Sequence, residues 1–234
     1  MRTRPAGHDE VARAFELRGR TRRCAELVDV SDKDVLNIGS SIGWFERYCI
    51  EAGARTVTGI DTSEEALDVA KQAAPSATFV WGSALSLPLE DEQFDVVALL
   101  DVLEHLPAGS EARALAEIRR VLRPDGVLAL STPNRHWLPT LADPAYYFGH
   151  RHYREAQVER LLRDAGLVPV TSFRSGAAFD LLDLLLYYLW RHALRRERHP
   201  FGLIRQLADG EWERDDGRNS ILVIARAAPG GAGR

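Results

Sequence analysis

Val35-Leu36-Asn37-Ile38 runs straight into Gly39-Ser40-Ser41-Ile42-Gly43, and a helical pattern begins at once after it. An apolar strand, a turn of small residues and a helix, in that order, commit a chain to an α/β arrangement in which the helix packs back across a sheet. Gly39 and Gly43 let the backbone pass close to a ligand with no Cβ in the way. The first backbone N–H groups of the helix then face the polar atoms of that ligand.

The same alternation continues along the chain. Residues 56–61, 77–81, 94–100 and 127–131 read as strands, and 43–52 and 63–73 as helices. A further helix at 110–122 places Leu115, Ile118, Val121 and Leu122 on one face, and Pro124-Asp125-Gly126 turns the chain into the strand after it. A helix at 154–165 closed by Gly166, a strand at 167–172 and a last strand at 219–226 complete the series. Strands apolar throughout, separated by amphipathic helices, indicate a mostly parallel sheet covered on both faces.

Two stretches stand outside this rhythm. Residues 10–28 carry Val11, Phe15, Leu17 and Leu27 at roughly helical spacing among arginines, and are expected to cover one edge of the ligand site. Residues 174–218 contain FDLLDLLLYYLW at 179–190, followed by a run rich in arginine. This apolar insertion is read as a helix packed on the sheet, a lid over an apolar acceptor, a homodimer contact, or a helix lying on a membrane surface. Asp180 and Asp183 near its start argue against deep burial in lipid. The expected organisation is a helical cap at 1–30, one α/β domain at 31–228 and a glycine-rich, disordered tail at 229–234.

A chain of 234 residues suits one such domain, and its net charge of −4 disfavours a nucleic-acid backbone as main partner. The first ten residues have no apolar core of the secretory kind, and no apolar run approaches the roughly 20 residues that cross a bilayer, so a cytoplasmic protein is expected. Cys24 and Cys49 have no metal-ligand spacing and read as reduced core thiols.

Asp61 ends the second strand, 22 residues after Gly39, where a carboxylate can accept both hydroxyls of a ribose. Its alternative role is to cap the next helix, for which Ser63 competes. A nicotinamide fingerprint would need glycine at positions 41 and 44, where this chain has Ser41 and Trp44. Other stretches belong to the same set. They are Gly59-Ile60-Asp61-Thr62-Ser63, Trp81-Gly82-Ser83-Ala84 with Leu87-Pro88, and Phe94-Asp95-Val96-Val97. Asp101-Val102-Leu103-Glu104-His105-Leu106, Glu117-Ile118-Arg119-Arg120-Val121-Leu122-Arg123-Pro124-Asp125-Gly126 and Ser131-Thr132-Pro133-Asn134-Arg135 complete it.

In this order the motifs resemble class I S-adenosylmethionine-dependent methyltransferases. The branch is the type 11 small-molecule enzymes that includes the ubiquinone-pathway O-methyltransferases, and the likeness covers about residues 28–167. The resemblance implies a Rossmann-like fold with a seven-stranded, mostly parallel sheet whose last strand is antiparallel. It implies S-adenosylmethionine as cofactor and S-adenosylhomocysteine as product, held by Asn37, Gly39, Ser40, Ser41, Gly43, Asp61, Thr62, Ser83, Ala84 and Leu100. Three positions depart from the family pattern: Asn37 stands for the usual acid, Ser41 for the middle glycine, and Ser83 for the acid that receives the adenine amino group.

His105 titrates near neutral pH and follows the carboxyl end of the fourth strand, so it is the candidate general base. No metal is expected. The alternative is a divalent ion on Asp101, Glu104 and His105, which share a face if the segment is helical. A similar pattern serves that purpose in some ubiquinone-pathway and small-RNA 2′-O-methyltransferases, where His150 or His152 would add a further ligand. Tyr146, Tyr147, Phe148, His150 and His152 lie beyond the fifth strand, where this fold holds its acceptor. The expected function is O-methylation of a small, partly apolar molecule. The rivals are a metal-assisted RNA 2′-O-methyltransferase and a non-catalytic module that binds cofactor or a partner protein.

Overall fold

The computed structural model describes residues 17–136, 140, 150–192 and 201–228, without the side chains of Tyr188, Arg191 and His192. Tyr146, Tyr147 and Phe148, most of the cap and the tail lie outside the described residues. The elements are α1 (Gly19–Ala25), β1 (Asp34–Ile38), α2 (Trp44–Glu51), β2 (Thr56–Asp61), α3 (Glu64–Ala73), β3 (Thr78–Trp81) and β4 (Phe94–Leu100). After a 3₁₀ turn at Leu103–His105 come α4 (Glu111–Val121), β5 (Leu122–Pro133), α5 (Glu155–Asp164), β6 (Leu167–Ser175), α6 (Ala178–His192), α7 (Gly202–Trp212) and β7 (Ser220–Ala227).

The seven strands form one sheet in the order β3-β2-β1-β4-β5-β7-β6, and β7 alone runs against its neighbours. Chain order reverses between β1 and β4, and in open α/β sheets the crevice at that reversal holds the ligand. β1 is buried along its whole length, which is why it carries no alternating polar face. Successive residues point to opposite faces. Leu36, Ile38, Val97, Leu99 and Leu128 pack with Leu115 and Ile118 of α4. Val35, Val57, Val96 and Ala98 pack with Phe45, Trp212 and the free, buried Cys24 and Cys49.

The fifth strand differs from its expected start. It begins at Leu122, which pairs with Phe94; Asp125 sits at φ 64° and the register shifts before Val127 meets Val96. What reads in sequence as a turn is a bulge within one strand. The 174–218 stretch is not a single apolar insertion either: β6 continues to Ser175, and two helices follow. Glu211 of α7 receives the backbone N–H groups of Ala177, Phe179 and Asp180 at 2.9–3.1 Å, so the start of α6 is capped by its neighbour rather than by its own sequence.

Candidate active site

Gly39 and Gly43 earn their place through packing. Gly39 sits at φ 87°, and a Cβ there would stand 2.4 Å from Val102 Cγ2. Gly43, at φ 82°, would bring one 2.9 Å from the Ala70 Cα of α3. Ser41, the departure between them, holds a left-handed φ of 47° that glycine adopts without strain. Its N–H donates to Asp61 Oδ2 at 2.8 Å, while Ser63 N–H donates to Oδ1 at 2.9 Å. Ser63 itself caps α3 by accepting the Ala66 N–H. Each Asp61 oxygen therefore keeps a lone pair for a ribose hydroxyl.

A cavity of about 260 Å³ opens over these strand ends. Gly39, Asp61, Thr62, Ser83 and Ala84 line it, joined by Gly82, Leu85, Val102, Leu106 and Pro107, and by His105. The second group carried no assigned role in the sequence, although all but Leu85 and Pro107 stand inside the motifs quoted above; Gly82 and Leu85 come from the loop after β3, and Val102, Leu106 and Pro107 from the turn after β4. Ser41 is exposed at the loop, and Leu100 is buried in the opposite core face. Asn37 and Ser40 are buried as well, at 2% and 0% exposure. Asn37 Nδ2 donates to Glu46 Oε1 at 2.9 Å, so a carboxylate from α2 stands beside the position that lacks one. Burial pushes the Glu46 carboxyl up to about 7.

A second cavity, of about 380 Å³, lies on the other side of His105. Its polar wall holds Arg20, Asp101, Glu104, His150, Asp180 and Asn219, and its apolar wall Leu181, Leu184 and Trp212. Arg20, Asp180, Trp212 and Asn219 had no local motif to mark them. α1 was expected over the nucleotide edge; its described residues pack on α7, through the Arg18–Asp209 ion pair, and bring Arg20 to this cavity instead.

Asp101 holds φ 54°, with its N–H bound to Ser131, and its carboxylate turns to Arg20 Nε at 3.3 Å. Glu104 is buried and accepts from Thr132 Oγ1 at 3.0 Å; burial and the nearby Asp101 raise its carboxyl above the usual range. The Nε2 atoms of His105 and His150 are 3.0 Å apart. One ligand atom from each of Glu104, His105 and His150 lies within 4.8 Å of the others, a grouping that leaves Asp101 out. His152 turns to Thr140 Oγ1 at 3.0 Å and also lines the second cavity.

Strand order, the cavity at the β1–β4 reversal and the carboxylate ending β2 are those of a class I methyltransferase fold. Residues 36–130 match the family described as a methyltransferase domain. A Mycolicibacterium smegmatis protein named a probable S-adenosylmethionine-dependent methyltransferase is 35% identical over 135 residues, 57% of this chain and 51% of its own. A ubiquinone biosynthesis O-methyltransferase of Haemophilus ducreyi is 38% identical over 112 residues, 44% of this chain and 46% of its own. The chain spans about half the length of the curated relatives it matches.

Solved structures share the fold at lower identity. One is a chain from the Haloferax volcanii complex of the Trm112 methyltransferase activator with a methyltransferase: TM-score 0.68, 20% identity, 98% of this chain and 96% of that one. Another is an S-adenosylmethionine-dependent methyltransferase from Mesorhizobium loti: TM-score 0.63, 20% identity, 91% of this chain and 99% of that one. Among the described residues no helix is long and apolar enough to cross a membrane.

Proposed function

We propose that the protein methylates an oxygen of a small, partly apolar acceptor. The observation that carries this reading is His105, which lines both cavities and so stands where cofactor and acceptor would meet. S-adenosylmethionine, when bound, supplies a methyl group activated on sulfonium sulfur. Asp61 would hold its ribose, and the open floor left by Gly39, Gly82 and Ala84 its flat and narrow parts. Leu181, Leu184 and Trp212 would seat the apolar part of the acceptor. His105 would take the acceptor proton as the methyl group leaves sulfur for the acceptor oxygen and S-adenosylhomocysteine is released, with His150 Nε2 3.0 Å from His105 Nε2 to share that proton. Much of the rate would come from holding the two reactants in line.

Calorimetric titration with S-adenosylhomocysteine tests the cofactor half. Binding in the range of about 1–100 μM, weakened at least tenfold by Asp61→Ala, is expected. Absence of binding to the parent protein would favour a non-catalytic module. Release of S-adenosylhomocysteine across a panel of phenols and alcohols tests the acceptor half.

The Glu104–His105–His150 grouping favours a second reading, in which a divalent ion sits there and an RNA 2′-hydroxyl is the acceptor. Carboxylate and imidazole donors suit such an ion. Activity abolished by EDTA and restored by Mg²⁺ or Mn²⁺ would select that reading over the first.

A further inference from the structure

Resting on the methyl-transfer reading, we propose that the acceptor carries a positively charged ammonium group, seated in the second cavity against Asp101, Asp180 and Asn219. Three carboxyl groups, those of Asp101, Glu104 and Asp180, line that cavity with one guanidinium, Arg20. Arg20 already gives its Nε to Asp101 Oδ2.

The unmet atoms are all of one kind. Asn219 is 7% exposed, and its Nδ2 donates to Ala177 O at 2.8 Å and to Asp180 Oδ2 at 2.7 Å. Both partners are acceptors, so the amide orientation is fixed and Oδ1 is the acceptor face of Asn219. That Oδ1 has no hydrogen-bond partner among the described residues, and neither has Asp101 Oδ1. A buried acceptor left without a donor is costly, and both of these oxygens belong to side chains that line the cavity. An ammonium group brings up to three donors and a positive charge to face the Asp101 and Asp180 carboxyls. A carboxylate or an ether brings neither.

Two further features agree. Burial raises the Asp180 carboxyl above its ordinary range, a cost that an adjoining cation would relieve. The backbone of Asp101, which lines this wall, is held at φ 54° with its N–H bound to Ser131. Beside this polar end, Leu181, Leu184 and Trp212 offer a surface for a hydrocarbon or aromatic body. The acceptor would thus be an amphipathic amine whose methylated oxygen lies toward His105.

The test is calorimetry on the full chain loaded with S-adenosylhomocysteine, in buffer with EDTA, using 2-phenylethylamine, 2-phenylethanol and 3-phenylpropanoate as matched probes. The amine is expected to bind at least tenfold more tightly than the alcohol, a difference of about 1.4 kcal/mol, and the carboxylate most weakly. Asp101→Asn keeps the shape and suits the same left-handed backbone. It should reduce the amine preference to below about threefold with the S-adenosylhomocysteine affinity unchanged, and Asp180→Asn should act in the same direction. Equal binding of amine and alcohol, or tighter binding of the carboxylate through Arg20, overturns the proposal. So does a divalent ion that binds alone in EDTA-free buffer where the amine does not. Amine selectivity without any S-adenosylhomocysteine binding would instead strike at the methyl-transfer reading, and would leave an ammonium site that is not an acceptor site.

Discussion

Glu46 places a carboxylate oxygen 2.9 Å from the Asn37 side-chain nitrogen, beneath the glycine loop of the cofactor cavity. The family pattern asks for an acid at position 37. Here an acid nine residues later, on α2, occupies the neighbouring space, and Gly59 on β2 leaves room for it: a Cβ there would stand 2.5 Å from Glu46 Oε1. The carboxyl group that the family pattern puts at 37 is here on the neighbouring helix, bonded to the Asn37 side chain.

This pair has a pH signature. The Glu46 carboxyl has an ordinary value of 4.5 and is raised to about 7 in the folded protein. Between those values the folded state holds a proton that the unfolded state releases, so stability is full below 4.5 and falls as pH rises through 7. The penalty above that point is about 3 kcal/mol. Glu46→Gln should melt higher than the parent at about pH 8 and show a flatter melting profile between about pH 5 and 8. Parallel profiles for the two proteins would show that Glu46 does not titrate in this window.

The two glycines of the loop should respond differently to rescue. Gly39→Ala is expected to cost about 2–4 kcal/mol, from contact with Val102 and from its left-handed backbone. Val102→Ala in the same chain removes the Cγ2 it meets, and should recover part of the loss. Gly43→Ala meets the α3 backbone at Ala70, so Ala70→Gly should recover less. Chemical denaturation of the single and double variants checks both.

Glu211 should matter to α6 more than an ordinary glutamate on a helix. Its removal as Glu211→Ala frees three N–H groups at the start of α6 and should cost about 1–2 kcal/mol. Hydrogen exchange should speed up at Ala177, Phe179 and Asp180, with the β1 amides unchanged. An effect spread evenly over the sheet would contradict a local cap.

His105→Gln should lower turnover about 10²–10⁴-fold if its imidazole takes the acceptor proton. S-adenosylhomocysteine affinity should change much less, since His105 is one wall residue among many in that cavity. Single-turnover measurement at saturating cofactor separates the two effects. A loss confined to cofactor affinity would reduce His105 to a wall.

What the sequence made legible follows from range. β1 through β4 and their helices repeat a local pattern of apolar runs and turns, and each appears close to where the pattern puts it. Asp61 could be read from its distance to Gly39, because strand length fixes that spacing. The purposes of Gly39 and Gly43 could not, since the atoms they avoid belong to Val102 and Ala70. Arg20 and Asn219 meet in one cavity from opposite ends of the chain, and no spacing rule connects them. The start of β5 at Leu122 was hidden because Asp125 and Gly126 look like a turn in any window short of the pairing with Phe94.

The position of β7 sets an order of assembly. It lies between β5 and β6 and is the sole strand neighbour of β6 among the described residues, so neither side of that half-sheet can be completed until residues 220–227 have emerged from the ribosome. Until then the nascent chain carries an open edge on β5 and an unpartnered β6, both templates for pairing with the wrong strand. A stalled or truncated translation product ending before Ser220 would expose both at once, which makes it a natural client for chaperones and a poor candidate for a minimal domain.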